Sequence, residues 1–158
     1  MNTWLREDRY KIRLGGNIFL NVQTLIAYDN KPIFEIRRRE EDGRLGVDCS
    51  IYDSDGSKIA SVHRNNVHLT GSGQFELTRS LGRITLRNKK SQANLAEIVI
   101  GGYVLDVSLR TYLPNGQLLD LGPKGSTLPG LLMAGSEIRN FRVGIAIDPN
   151  GRTRLAVS

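Results

Sequence analysis

The chain has 158 residues, 39% of them apolar and 24% charged, a balance that suits one globular domain (1–158) and excludes a disordered chain. A single cysteine excludes an internal disulfide and a cysteine-based zinc cluster. The formal net charge of +6 favours polyanionic partners, although a charge of this size also serves only to keep a small domain soluble.

The opening stretch "MNTWLREDRYKIRLGG" lacks the apolar core of a signal peptide, and no run of about 18 apolar residues follows. A soluble, cytoplasmic protein without a transmembrane segment is therefore expected. Residues 1–15 read as an N-terminal arm, and 3–13 is one of two segments with any helical character. "YDNKP" then marks a turn. The triplet Arg37–Arg38–Arg39 runs into Glu40–Glu41–Asp42, which suggests charges neutralised across a hairpin. Cys49 shares its parity with Leu45, Val47 and Ile51, so it reads as a small buried apolar side chain and not as a nucleophile.

"IYDSDGSKIASVHRNN" at 51–66 has the look of a calcium loop, but counted from Asp53 its glycine comes at the fourth position instead of the sixth, and Arg64 stands at the twelfth, where a bidentate acid belongs. It reads better as two strands joined at an Asp-Gly turn, with Gly56 taking a positive φ and Ile51 and Ile59 facing inward. His63 and His68 flank a second turn at Asn65–Asn66, and parity sends His68 to solvent. Further along, "GRITLRN" turns Ile84 and Leu86 inward and Arg83 and Arg87 outward. "YVLDVSLRTY" alternates through Tyr103, Leu105, Val107 and Leu109, and "RVGIAID" through Val143, Ile145 and Ile147. Between the last two lies a long loop, 121–135, "LGPKGSTLPGLLMAG". It is not a phosphate-binding loop, because its lysine precedes the second glycine. The second helix candidate is 131–141.

Short alternating runs, roughly 8 to 12 residues apart and separated by Gly-bearing turns, predict an all-β antiparallel sandwich or barrel of about a dozen strands with little helix. Within 33–64, a D-x-D-G turn between amphipathic strands resembles the repeat style of tubby-like β-barrel proteins. Such barrels enclose an apolar C-terminal helix, whereas this chain ends in "GIAIDPNGRTRLAVS", another hairpin. No functional residue follows from the resemblance.

No catalytic set converges in the sequence. There is no G-x-S-x-G elbow, and the acids mostly flank turns: Asp29, Glu40, Glu41, Asp42, Asp53, Asp55 and Asp148. No cofactor or metal is expected. The leading expectation is a non-enzymatic binding or assembly module with a protein partner or self-association. The alternative is an anionic-ligand or nucleic-acid-binding domain that uses a basic strand face of Arg79, Arg83, Arg87, Lys89, Lys90 and Arg110. Arg142, Arg152 and Arg154 also read as outward-facing, and Tyr112 and Phe34 are the candidates for a stacking surface. The third reading is a hydrolase or metallonuclease-like site at His63 or His68.

Overall fold

The computed structural model describes residues 3–14, 19–41, 48–63, 66–99, 107–112, 118–122, 135–148 and 152–157. Within them the protein is all-β. The first six strands are β1 (Trp4–Leu14), β2 (Phe19–Tyr28), β3 (Lys31–Glu41), β4 (Asp48–Asp53), β5 (Lys58–His63) and β6 (Asn66–Leu69). They form a meander, each pairing antiparallel with the next. A second meander contains β7 (Phe75–Ser80), β8 (Arg83–Asn88), β9 (Asn94–Val99), β10 (Val107–Tyr112) and β11 (Leu118–Gly122). The chain then returns to the first sheet. There β12 (Gly135–Ile147) pairs with β1, and β13 (Thr153–Val157) forms the edge. The result is an eight-stranded sheet, β13-β12-β1-β2-β3-β4-β5-β6, and a five-stranded sheet, β11-β10-β9-β8-β7.

Both helix candidates are strands. Residues 4–13 of the first fall in β1, which lies between β12 and β2, and 135–141 of the second fall in β12, its first four residues being outside the described ones. The alternating pattern of β1 is blurred in sequence because its inward positions include Arg6 and Asp8, both buried. The segment read as an arm is thus largely a central strand. Of the long loop, Leu121 and Gly122 belong to β11 and Gly135 begins β12; its other residues lie outside the described ones. Among the described residues no strand pairing closes the two sheets into a barrel.

Turn chemistry explains the register. Asp29 and Asn30 both take positive φ, 52° and 64°, in the two-residue β2–β3 loop. That is the backbone of a hairpin turn whose twist matches the strands it joins. In the β4–β5 turn Gly56 sits at φ 89°, and the Asp53 carboxylate accepts hydrogen bonds from the backbone N–H groups of Asp55 and Ser57. Of the turn expected at Asn65–Asn66, Asn66 lies inside β6, opposite His63, and Asn65 is outside the described residues.

Alternation delivers the core. Val22 and Ile26 from β2, Phe34 and Ile36 from β3, Cys49 and Ile51 from β4, and Ala60 and Val62 from β5 are buried in one cluster with Phe75, Ile84, Leu86, Ala96 and Ile98 of the second sheet. Phe34 meets Phe75 edge to face, with centroids 6.1 Å apart. The sheets are thus packed through these faces, and Phe34 is a core residue, not an exposed stacking platform. The crossing between sheets is tied down where Ile59 O accepts from both Thr70 N and Gly71 N. Ile51 and Ile59 are buried as the sequence indicates, and so is Cys49, whose thiol is pushed up to about 11 by burial.

The same inner face carries an ionic cluster. Arg6 Nε donates to Asp8 Oδ2 at 2.9 Å, Thr24 Oγ1 donates to Asp8 Oδ1, and Arg38 Nη2 donates to Thr24 Oγ1 at 2.8 Å. All four residues are buried. Tyr10 lies beside them, and burial, reinforced by the Asp8 charge, raises its phenol to about 12.

Candidate functional site

Positions between the buried ones on β12, β1, β2, β3 and β4 form the outer face of the eight-stranded sheet. Register aligns them in rows across the strands. One row runs Arg142, Arg9, Gln23, Arg37, Ser50 and Ser61. The next runs Asn140, Lys11, Asn21, Arg39, Asp48 and His63. The rows border a depression of about 750 Å³ whose lining includes five outward-facing Arg or Lys side chains and one acid, Asp48. The cations stand in two columns, Arg142, Arg9 and Lys11 on β12 and β1, and Arg37 and Arg39 on β3. Between them the β2 amides of Asn21 and Gln23 form the floor. Neighbouring strands are about 4.8 Å apart, which sets β1 and β3 about 10 Å from each other.

Several of these side chains are held in place. Arg37 Nε donates to Glu35 Oε1 at 2.7 Å, and its guanidinium lies 4.3 Å from the centroid of the Tyr52 ring. Gln23 Nε2 donates to the same Glu35 oxygen. Partial burial pushes the Glu35 carboxyl up, but the hydrogen bonds from Arg37 and Gln23 outweigh it and hold the group below its ordinary range. Arg9 Nε bonds Glu7 Oε1 at 3.3 Å, and Arg142 Nη1 approaches the same oxygen at 3.9 Å. The Arg triplet is therefore split by the sheet. Arg38 goes inward to Asp8, while Arg37 goes outward to Glu35 on its own strand; the side chains of residues 40–42, the acids expected to neutralise the triplet, lie outside the described ones.

The basic residues singled out by sequence occupy the other sheet. Arg83 and Arg87 project from the outer face of β8, each beside a carboxylate: Arg83 with Glu97 of β9 at 3.6 Å, and Arg87 with Glu76 of β7 at 3.1 Å. Arg79 pairs in register with Ile84, so it shares the parity of the opposite, core-side face, but it is exposed near the strand end. Lys89 and Lys90 are in the β8–β9 turn, where Lys89 Nζ donates to Ser72 O at 2.8 Å. Arg110 stands on β10, opposite Asp120 and with β9 between it and β8. Thus Arg83 and Arg87 share one face, each with an acid, while Arg79 and the two lysines lie elsewhere.

His63 Nδ1 bonds Asp48 Oδ1 across β4 and β5, and both side chains are exposed. His68 is exposed on β6, opposite Ser61. An imidazole oriented by a carboxylate is suited to proton transfer. Among the described residues, however, no group of three His, Cys, Asp or Glu side chains is placed to hold a metal. Among those residues, too, no helix is long and apolar enough to cross a membrane.

The sequence signal for the larger cationic surface was present but divided. Arg9, Lys11, Arg37, Arg39 and Arg142 come from three distant segments, and only strand register assembles them. Comparison of the chain with protein-family models, curated proteins and solved structures finds no match.

Proposed function

We propose that the protein is a binding module that grips an extended polyanion on the outer face of its eight-stranded sheet. The observation that carries this reading is the depression in which Arg9, Lys11, Arg37, Arg39 and Arg142 face solvent around a floor of neutral amides. Guanidinium groups fixed by carboxylate and aromatic neighbours are pre-organised to donate paired hydrogen bonds to phosphate or other oxyanions. Asn21, Gln23 and Asn140 add hydrogen-bonding capacity without opposing the charge. The acids Glu7 and Glu35 sit in the next row, where they orient Arg9 and Arg37.

The test is equilibrium binding of fluorescently labelled inorganic polyphosphate at low salt. Wild-type protein is expected to bind, and Arg9→Gln with Arg39→Gln is expected to weaken binding at least tenfold while leaving the urea midpoint nearly unchanged. Absence of polyphosphate binding at low salt would overturn the proposal.

A further inference from the structure

The cationic depression does not stand alone. One row further along the same face is a second, smaller hollow of about 260 Å³, lined in part by Leu5, Leu25 and Pro32 with the acids Glu7, Glu35 and Asp53. Leu5 is 38% exposed there. A fence of ion pairs, Arg9 with Glu7 and Arg37 with Glu35, separates the two hollows. On each strand the step from acid to base is two residues, about 7 Å. The face therefore offers oxyanion donors, then carboxylate acceptors, then an apolar wall, in sequence over a short distance.

Few polyanions use all three. A sulfated glycan or polyphosphate needs only the cations. An anionic lipid surface would bring its apolar phase against Glu7 and Glu35, and burying carboxylates in such a phase is costly. A nucleotide matches the order: phosphate, then a base whose amino and ring N–H groups donate to carboxylates, then an apolar ring face. Carboxylates accept from base amino groups in nucleic-acid recognition, and flat guanidinium planes serve as stacking surfaces for unpaired bases. Arg37 is such a plane, backed on Tyr52 and more than half exposed.

We infer that the two hollows form one bipartite site for nucleotide units of a single strand, with phosphates on Arg9, Lys11, Arg37 and Arg39 and a base lodged against Leu5 and Leu25. This inference rests on the polyanion reading above and narrows it. The apolar wall makes the site selective for unpaired bases, because the ring faces that would lie against Leu5 and Leu25 are stacked on neighbouring bases in a duplex.

The experiment compares three labelled probes at fixed low salt: a short single-stranded oligonucleotide, its abasic counterpart of equal charge, and inorganic polyphosphate. The oligonucleotide is expected to bind roughly tenfold more tightly than the abasic strand, the scale of one base contact. Leu5→Thr with Leu25→Thr is expected to remove that difference without altering polyphosphate binding. A nucleoside triphosphate serves as competitor. Displacement of the oligonucleotide at equal concentration assigns the site to free nucleotides and overturns the strand assignment; displacement only at large excess supports the strand. Equal binding of all three probes, unaffected by the leucine substitutions, overturns the inference and leaves the polyanion reading standing. Failure of every probe to bind removes both. The abasic comparison on wild-type protein needs no substitution, so a misfolded variant does not obscure the result.

Discussion

β1 and β3 place charges on both sides of the eight-stranded sheet, and the two sides use them in opposite ways. Inward, Arg6, Asp8, Thr24 and Arg38 are buried and bonded to one another in a chain that begins and ends on a guanidinium. Outward, Glu7, Arg9, Glu35 and Arg37 are paired along their strands yet stay in contact with water. Desolvated charges are costly to leave unmatched, so the inner cluster is part of what fixes β1, β2 and β3 against one another. Exposed pairs gain little in stability, so the outer charges are free to serve a ligand.

Breaking the inner cluster should have the largest effect on the protein. Asp8→Ala leaves the guanidinium groups of Arg6 and Arg38 without the carboxylate between them, and should cost about 3–5 kcal/mol in urea denaturation. Glu7→Ala, one residue away on the same strand but on the other face, should cost under about 1 kcal/mol. Equal costs for the two substitutions would erase the distinction between the faces.

Alkaline pH should sharpen the same contrast. Cys49 and Tyr10 are neutral when protonated, and burial raises them in the folded protein, from 9.0 to about 11 and from 10.0 to about 12. Their contribution to stability is complete below the unfolded values and is lost as pH rises from about 9 towards 12. Each group accounts for roughly 2–3 kcal/mol over that interval. Urea midpoints measured from pH 8 upward should fall, and Cys49→Ala should lose the part of the fall that begins near pH 9. Outer-face pairs titrate elsewhere: Glu35, held low by its hydrogen bonds, stabilises the fold above the ordinary carboxylate range and loses that effect only in acid.

A smaller effect tests the turn chemistry on which the strand register depends. Gly56 has φ 89°, and a Cβ built there meets nothing within 4 Å, so Gly56→Ala is opposed only by the backbone conformation. The expected loss is about 1 kcal/mol, readable as a shift in urea midpoint. A loss several times larger would mean that the turn controls the register of β4 and β5 more widely.

How far the sequence reveals all this varies along the chain. Where inward positions are apolar, as in β4, β5 and β8, alternation and Asp-Gly turns identify strands and core residues directly. β1 escapes because its inward side chains include Arg6 and Asp8, and a buried ion cluster has the same hydropathy as a solvated face. The cationic site escapes for another reason. Arg79 to Lys90 is a dense basic run in sequence, whereas Arg9, Arg37 and Arg142 are dispersed and meet only through the β12-β1-β2-β3 order. Carboxylate partners do not separate the two: Glu97 and Glu76 stand beside Arg83 and Arg87, and Glu7 and Glu35 stand beside Arg9 and Arg37. What differs is the number of cations that register gathers around one depression.

The most direct test of the central claim sets the two wet faces against each other. Affinity for a single-stranded oligonucleotide should be measured between about 50 and 200 mM salt for wild type, for Arg37→Gln with Arg39→Gln, and for Arg83→Gln with Arg87→Gln. Each phosphate contact contributes about 0.7 to the slope of log K against log salt on a single strand. The Arg37/Arg39 variant should bind more weakly, with a slope shallower by about 1.4, and the Arg83/Arg87 variant should match wild type. The reverse pattern, with the slope lost at Arg83 and Arg87 and kept at Arg37 and Arg39, would contradict the account.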